Sequence, residues 1–444
     1  MHDDLRSAVA ANFPSLKSLL GELISIPSVS AASFPPAEVR RSAEFIAGKL
    51  REIGCENVQL LEHEGAHPAV FGEMPGPAGA PTVLLYAHHD VQPPGPAEEW
   101  ETPPFAPAER DGRLYGRGAS DDKSGVIMHL GTLAAFSSEP PVGIKIFIEG
   151  EEEVGSAHLP QFLEKYFDHL RSDVIVIADA GMWRVGVPSL VTSLRGITAC
   201  VVEVRTLGSA VHSGQFGGVF PDALTALCRL IATLHDEGGN VAVPGLTAYE
   251  VDPLDLTEEE VREQMATVPG LKALGDGEWT SRLWSKPAIS VLAIDCPRVE
   301  QAINQLVPVA RAKISMRLAP GQDGAAAEAA LHRHLEANAP WGAQVTVDSD
   351  GHGDAFALAA DGPAHTAFRG AMREVWGVEP VDMGAGGSIP FVAAFAEKMA
   401  GAPVILIGAG DPTSAVHAPN ESQDLADLEK SVLAQAIALR LLAS

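Results

Sequence analysis

Acidic and histidine side chains follow the ends of several short apolar runs in this sequence. The run at 82–86 is followed by His88 and Asp90, the run at 144–149 is followed by three consecutive glutamates, and Asp179 ends a third run. Side chains at the carboxyl ends of neighbouring parallel strands converge on one edge of a sheet. Carboxylates and imidazoles gathered there would repel or desolvate one another unless a cation lay among them. The pattern therefore predicts a metal site.

Two further segments carry the same residue types. Asp121 and Asp122 lie in the glycine-rich turn GRGASDDKSG, and His417 lies in GDPTSAVHAPNE, after an apolar run at 403–408. Each group by itself is ordinary, because isolated histidines are common in cores, acidic runs in solvated loops and aspartates at helix starts. Their joint placement at strand ends favours a metal centre. Nitrogen and oxygen ligands without cysteine favour zinc, with manganese or cobalt as alternatives.

The segment HEGAH at 63–67 matches the HExxH motif of zinc proteases, but its context does not. That motif requires a helix, which places both histidines on one face. Here Gly65 interrupts the segment, and Pro68 disfavours the helical conformation of His67. The sequence therefore predicts a turn between two extended runs. Two other catalytic templates are also missing, because the chain has no GxSxG elbow and GAGDPT lacks the third glycine of a dinucleotide-binding turn.

Strand-like and helical runs alternate through much of the chain. The strand-like runs lie at 82–86, 144–149, 174–179 and 403–408, and the helical runs lie at 38–53, 124–136 and 158–167. This alternation predicts an α/β fold with a mostly parallel, helix-covered sheet.

The texture changes between about 194 and 353. Runs at 197–206 and 312–320 alternate like half-solvated strands, with helical patterns at 222–238 and 298–307. We expect a smaller inserted α+β domain at 194–353, with 1–193 and 354–444 forming the first domain. The helix at 222–238 carries more leucine and isoleucine than a small domain can easily cover, which predicts a dimer contact.

Composition narrows the class of protein. The 444 residues are 46% hydrophobic and 20% charged, which is typical of a globular protein. With 31 Lys and Arg against 58 Asp and Glu, the formal charge of −27 disfavours nucleic acid and anionic membrane as partners. No signal-peptide pattern and no run of 18 apolar residues is present, and the four cysteines lie far apart. These features predict a cytoplasmic protein with reduced, mostly buried thiols.

An ordered set of motifs resembles that of the M20 metallopeptidases. The segments are AHHDVQP, GRGASDDKSG, EGEEEVGS, SLRG with VHSGQFGG, and GAGGSIP with VHAPNE. They are most similar to the carnosinase-like dipeptidases, including the cytosolic non-specific dipeptidase branch. The resemblance covers nearly the whole chain. It implies a zinc-exopeptidase-like catalytic domain with an inserted lid and dimerisation domain.

The resemblance also implies two divalent metal ions and the residues that hold them. The implied ligands are Asp121 bridging both ions, His88 and Asp179 on one ion, and Glu153 and His417 on the other. Glu152 would be the general base, and Asp90 would orient the His88 imidazole. The peptide bond after Asp121 would be cis. His89 could replace His88 as a ligand, but that exchange would break the His-x-Asp spacing.

Substrate residues are implied in the inserted domain. His212 resembles a histidine that, in dimeric relatives, reaches the partner's active site and polarises the scissile carbonyl. Arg317 and the Gly387–Ser388 turn resemble the anchors for a free C-terminal carboxylate, and His352 is a weaker candidate for the same pocket. Arginine suits a bidentate carboxylate anchor.

Three functions are compatible with this pattern. The favoured one is a homodimeric metallodipeptidase that cleaves dipeptides or short peptides, because Asp179 stands where the deacetylase and carboxypeptidase branch uses glutamate. The alternatives are an N-acyl amino acid amidohydrolase of the same family and a catalytically inactive acidic binding protein. The presence of all five ligands and the base disfavours the last.

Overall fold

The computed structural model describes residues 2–387, 395, 398–399 and 401–443. Ser388, one of the predicted substrate anchors, lies outside them. The chain divides into two compact units. The larger unit comprises 1–192, 358–383 and 390–444, and the smaller comprises 193–357 and 384–389.

Both units contain β-strands. They are β1 (Glu56–Leu61), β2 (Ala69–Met74), β3 (Thr82–His88), β4 (Ala108–Arg110), β5 (Arg113–Tyr115), β6 (Gly143–Glu149), β7 (Val174–Ile177), β8 (Ser189–Leu194), β9 (Gly196–Arg205), β10 (Val211–His212), β11 (Ala288–Asp295), β12 (Gln305–Leu306), β13 (Val309–Leu318), β14 (Gln344–Gly353), β15 (Phe356–Ala357), β16 (Val381–Ala385), β17 (Val404–Leu406) and β18 (Ser422–Asp424).

The helices of the described residues follow in the same order. They are α1 (Asp3–Ile24), α2 (Pro36–Ile53), α3 (Lys123–Phe136), α4 (Leu159–Leu170), α5 (Ser213–Phe216), α6 (Ala223–Ala232), α7 (Glu258–Gln264), α8 (Trp279–Trp284), α9 (Gly324–Ala337), α10 (Pro363–Trp376) and α11 (Leu425–Leu442).

The larger unit is built on one twisted sheet with strand order β1-β2-β6-β3-β7-β17-β8. Its central strands β6, β3, β7 and β17 are parallel, and antiparallel strands flank them. Strands β3 and β7 are mainly apolar because they are buried on both faces, as parallel strands must be when helices cover the sheet, whereas β6 includes the partly buried Lys145. The predicted fold class, α/β with a mostly parallel, helix-covered sheet, is confirmed.

Helix α3 is the innermost helix of the larger unit. It packs against α1 and α11, and nearly all of its residues are buried. The Asp122 side chain caps its first turn by accepting a hydrogen bond from the Gly125 N–H. The cap fixes the Asp121–Asp122 turn at the start of a helix that cannot shift without disturbing the core.

The smaller unit has an antiparallel sheet with strand order β11-β13-β9-β14. Helices α6 and α9 cover one face of this sheet and form a separate hydrophobic core with it. Alternation along the strands places Cys200, Val202 and Val204 toward the helices and the residues between them on the other face.

Two helix predictions for the smaller unit are wrong. The predicted helix at 222–238 ends at Ala232, and the segment 298–307 forms a single 3-10 turn and strand β12 instead of a helix. Val299 is 88% exposed and Ile303 is 70% exposed. The apolar residues of this segment therefore have no core to bury a helical face, and β12 pairs with β10.

Helix α6 does not leave the apolar surface that was expected for a dimer contact. Leu227 and Leu230, and Leu234 just beyond the helix, are fully buried, and Leu224 and Ile231 pack against the same core. The helix covers its own sheet, so that part of the dimer prediction is wrong.

Two global features complete the fold. The four cysteines are free: Cys200 is buried, Cys55 is partly buried, and Cys228 and Cys296 are exposed, so the expectation of mostly buried thiols is wrong. Within the described ranges, no helix has the length and hydropathy needed to cross a bilayer.

Candidate metal centre

The sheet of the larger unit brings several predicted residues to one edge. His88 is the last residue of β3, Asp179 lies two residues beyond β7, and Glu152 lies three residues beyond β6. Because β3 is parallel to both β6 and β7, these strands end side by side. Their carboxyl ends therefore form the floor of the candidate site.

Asp121 lies between two histidines that are far apart in the sequence. Its Oδ1 is 3.0 Å from His88 Nε2, and its Oδ2 is 3.0 Å from His417 Nε2. His88 Nε2 is also 3.8 Å from Asp179 Oδ1, and His417 Nε2 is 3.1 Å from Glu153 Oε2. A carboxylate that faces two ligand sets with one oxygen each has the geometry of a bridging ligand. We call these sets the His88 group (His88, Asp121, Asp179) and the His417 group (Asp121, Glu153, His417).

Asp122 lies beside the His88 group but serves the backbone. In the part of the chain that the structure describes, ligand atoms of His88, Asp122 and Asp179 cluster within 4.8 Å, as do those of Asp121, Glu153 and His417. Asp122 Oδ1 accepts the Gly125 N–H and its Oδ2 accepts the His88 N–H, each at 3.1 Å. Asp121 is therefore the carboxylate that faces both histidines. The Asp121–Asp122 peptide bond is cis, as the resemblance implies.

The charges of the site fit two cations. Burial and the negative charges of neighbouring carboxylates raise the pKa of Asp179 well above its usual range. Hydrogen bonds to Asp121 and Glu153 raise the pKa of His417 to about 10. In a metal site without its cations, crowded carboxylates retain protons and a histidine among them stays protonated. The raised pKa values of Asp179 and His417 are therefore typical of a site whose negative charge is balanced by metal ions. Imidazole and carboxylate donors without thiolate suit zinc and similar divalent ions.

Asp90 supports the site from below. Its Oδ1 is 3.4 Å from His88 Nδ1, and its two carboxylate oxygens accept the N–H groups of Glu152 and Glu153 at 3.2 and 3.1 Å. His88 Nδ1 is closer to the backbone carbonyl oxygen of Asp90, at 3.1 Å, so Asp90 contacts the imidazole with its main chain and its side chain and also holds the following turn. His89 is turned elsewhere: its Nε2 is 3.0 Å from a backbone carbonyl oxygen, and burial lowers its pKa to about 4.

Glu152 and Glu153 are adjacent but have different environments. Glu153 is held by Gln92, whose backbone N–H and side-chain amide donate to its two carboxylate oxygens at 3.1 and 2.8 Å. Glu152 belongs to neither ligand group, and its Oε2 is 3.9 Å from His88 Nε2. Burial, with the negative charges of Glu153 and Asp121, raises the pKa of Glu152 to about 7. Such a carboxylate can exchange a proton near neutral pH.

Comparisons with known proteins show the family to which the chain belongs. The model of peptidase family M20/M25/M40 matches residues 84–440. This chain belongs to that family. The predicted enzyme class, a metal-dependent peptidase of the M20 family, is confirmed.

Several named relatives span nearly the same length as this M20 peptidase. A cysteinylglycine-S-conjugate dipeptidase of Corynebacterium striatum is 33% identical over 448 residues, with 97% of each chain covered. A Beta-Ala-His dipeptidase of Homo sapiens is 32% identical and covers 80% of this chain and 73% of its own.

Solved structures show the same fold. The human carnosine dipeptidase 1 structure has a TM-score of 0.83 at 27% identity and covers 99% of this chain and 98% of its own. An M20 family metallo-carboxypeptidase of Sulfolobus solfataricus has a TM-score of 0.82 at 26% identity, with 96% of this chain and 99% of its own covered.

Sequence reasoning on the M20 peptidase missed a buried carboxylate that joins two site segments. Glu421 Oε1 accepts the N–H groups of Ser120 and Asp121, each at 3.0 Å, and its Oε2 accepts hydrogen bonds from the Gly118 N–H at 3.0 Å and Arg117 at 2.6 Å. The loop that carries His417 is thereby tied to the turn that carries Asp121. The motifs GRGASDDKSG and VHAPNE contain both charged residues, but nothing in the sequence pairs them.

A second missed contact holds the other end of the His417 loop. Arg113 Nη2 is 2.8 Å from Asp411 Oδ2 and also donates to Ser414. Asp411 in turn accepts the N–H and hydroxyl of Thr413. The loop is therefore fixed at both ends, while His417 itself has a left-handed backbone with φ of +63°.

The HEGAH segment is a turn between β1 and β2, as predicted. His63 Nδ1 is 3.0 Å from the Glu64 carbonyl oxygen, and His67 Nε2 is 3.0 Å from the Ser30 carbonyl oxygen. Within the described residues, neither histidine belongs to a metal-ligand group.

The predicted substrate residues lie in the smaller unit. His212 ends β10 and is exposed, and its Nδ1 accepts the Gly214 N–H at 3.0 Å. Arg317 lies near the end of β13 and is half-buried; its guanidinium has no hydrogen bond or ion pair within the described part of the chain. Gly387 is exposed.

Strand register separates two of these candidates. Arg317 pairs with Ile197, on the face of the sheet away from α6 and α9. His352 pairs with Thr198, whose side chain is on the helix-covered face, and its Nδ1 is 2.7 Å from Glu328 Oε2 of α9. The structure therefore places the two side chains on opposite faces of one sheet.

Proposed function

We propose that this M20 peptidase is a dinuclear metallodipeptidase that cleaves the peptide bond of dipeptides or short peptides with a free C-terminal carboxylate. The observation that carries the proposal is the position of Asp121 between the two histidine groups, with Glu152 beside them. The similarity of this chain to proteins named as dipeptidases favours peptides over N-acyl amino acids as its substrates.

The metal ligands of the proposed enzyme are the two groups defined above. His88 and Asp179 would hold one divalent ion, Glu153 and His417 the other, and Asp121 both, with zinc the expected metal. When bound, such ions supply Lewis acid activation of water and stabilisation of negative charge on the carbonyl oxygen.

Glu152 acts as general base and then as general acid. It takes a proton from the attacking water and returns it to the amine that leaves when the peptide bond breaks. Its carboxylate lies beside the two ligand groups without belonging to either, so it is available to accept a proton and to return it. Asp90 accepts a hydrogen bond from the backbone N–H of Glu152 and so fixes the position of the Glu152 main chain from which the side chain extends.

Arg317 is the proposed anchor for the substrate's C-terminal carboxylate. A half-buried guanidinium without a partner among the described residues is available for a bidentate carboxylate. The Gly387–Ser388 turn remains a proposed second contact. We leave His352 out of this anchor, because Glu328 holds it on the other face of the sheet.

A homodimer with His212 acting in the partner's site is the proposed assembly. Phe216, Val219 and Phe220, which follow His212 closely, are more than half exposed. Strand β11 is an edge of the small sheet, and its residues 290–295 are exposed. Exposed apolar side chains and an unpaired strand edge favour an isologous contact between two copies.

Replacement of the base tests the catalytic proposal. Glu152→Gln keeps the side-chain shape but removes the proton acceptor, so kcat should fall at least about 10²-fold while two metal ions remain bound. Glu153→Gln should weaken metal binding instead. Reversed phenotypes would show that the roles of the two glutamates are exchanged.

A panel of dipeptides and N-acetyl amino acids on metal-reconstituted enzyme identifies the substrate class, and turnover of the acyl amino acids alone would contradict the dipeptidase proposal.

Subunit mixing tests the assembly. An inactive Glu152→Gln chain and an inactive His212→Ala chain should together recover up to about a quarter of the wild-type activity, because half the dimers are mixed and one of their two sites is intact. Verified exchange of subunits without recovery would show that the site is built within one chain.

A further inference from the structure

The three consecutive glutamates at 151–153 point in three different directions. Glu153 faces His417, and Glu152 stands beside His88. Glu151 points away from both and is only 3% exposed. A buried carboxylate next to the proposed base requires an explanation of its own, because burying a charge is costly unless it is fully hydrogen-bonded.

The partners of Glu151 come from two other segments. Its Oε2 accepts the His67 N–H at 3.2 Å, and its Oε1 accepts the His158 N–H at 2.8 Å. The His158 ring Nδ1 is 3.0 Å from the same Oε1. No lysine or arginine pairs with Glu151 among the described residues. The carboxylate thus joins the turn after β1 to the residue that precedes α4.

The turn after β1 is also attached to the strand that carries His88. The carbonyl oxygen of Pro68 is 3.0 Å from His89 Nε2, and His67 Nε2 is 3.0 Å from the Ser30 carbonyl oxygen. The HEGAHP segment therefore connects the end of β3 with the start of the glutamate turn. This gives the segment that resembles a zinc-protease motif a different use.

We propose that Glu151 is a positioning residue for Glu152. Asp90 holds the start of the 3-10 turn Glu152–Val154 by accepting the N–H groups of Glu152 and Glu153, and the carboxylate of Glu151 anchors the residue before the turn to His67 and His158. Loss of that carboxylate would leave the part-buried N–H groups of His67 and His158 without this acceptor, and the turn would relax. A shift of about 1 Å in a catalytic group can cost about 10²-fold in rate. This inference rests on the proposed function, because it takes Glu152 as the base.

The first experiment compares Glu151→Gln and Glu151→Ala with the exposed control Glu164→Gln on α4. In Glu151→Gln, the NH2 group of the new amide would face the N–H group of His67 or of His158, and two donors cannot form a hydrogen bond. We therefore expect kcat to fall about 10-fold with KM and metal content unchanged. Glu151→Ala should lose about 10²-fold, and Glu164→Gln should match the wild type. If Glu151→Ala does not fold, Glu151→Gln still decides the question, because it keeps the volume of the side chain.

A double-mutant cycle separates positioning from a general loss of stability. When Glu152 is already glutamine, Glu151→Gln should cause little further loss in kcat, because the group through which it acts is gone. A full further 10-fold loss, or release of metal by Glu151→Gln, would overturn the inference. If Glu152→Gln alone leaves kcat intact, it is the proposed base that is wrong, and the cycle shows which of the two claims has failed.

Discussion

The two metal-ligand groups are built in different ways. His88 ends a central strand, its side chain is completely buried, and its backbone N–H is bonded to Asp122. His417 lies in a loop with a left-handed backbone, and its side chain is 54% exposed. The two groups share Asp121 and yet differ in burial and in the rigidity of their supports.

This difference has a physical consequence for metal binding. A ligand on a buried strand is positioned by the sheet itself, and its loss leaves carboxylates buried with no cation. A ligand on an exposed loop depends on the contacts that hold the loop, and water can replace it. We therefore expect the ion of the His88 group to be bound more tightly than the ion of the His417 group.

The largest effect should come from the residue that both groups share. Asp121→Asn removes the bridging negative charge, so both ions should bind weakly and kcat/KM should fall at least about 10³-fold. Elemental analysis after gel filtration should find fewer than one ion per chain. Two retained ions with activity intact would show that Asp121 bridges nothing.

The next effect distinguishes the two groups directly. His88→Gln should weaken its ion by about 10²-fold, and His417→Gln should weaken the other by about 10-fold, because solvent can complete the exposed site. In the wild type, titration with a chelator should remove one ion before the other. Equal losses in both variants, or release of both ions in one step, would contradict the expected asymmetry.

The pH dependence of kcat/KM tests the role of Glu152, which lies beside the His88 group. Glu152 accepts a proton only when it is ionised, so kcat/KM should rise with pH through its pKa and then level off. Its raised pKa of about 7 is reached without cations, and bound cations lower it, so the acid limb should lie at or below about pH 7. Below the limb the rate should fall about tenfold per unit, and Glu152→Gln should lack the limb. A limb that persists in that variant would belong to another group.

The smallest effect concerns the loop support of the exposed group. Arg113→Gln removes the ion pair with Asp411 but leaves all five ligands in place. The His417 ion should be released about threefold to tenfold more readily, with the His88 ion unaffected. Arg440→Gln, on α11, is the control, because its ion pair is with Asp4 of α1 and includes no residue of the His417 loop. An equal change in both variants would remove the loop as the cause.

The local pattern of the sequence was sufficient for much of the fold and for the location of the candidate metal site. Apolar runs buried on both faces are recognisable without a structure, and so are the acidic and histidine residues just beyond them. The turn at 63–67 was equally readable, because Gly65 and Pro68 oppose a helix whatever surrounds them. These features depend on residues within a few positions of one another.

Tertiary structure decided the features that depend on distant partners. The pattern at 298–307 is helical in period, but no core lies beside it, so the chain there forms a turn and a short strand. Glu151 and Glu421 look like surface acids in the sequence, and only the folded chain supplies the backbone N–H groups from which they accept hydrogen bonds. A periodic pattern indicates which side chains of a segment could be buried on one face. The residues that bury this face, or that pair with its charged groups, can be hundreds of positions away, so only the folded chain determines them.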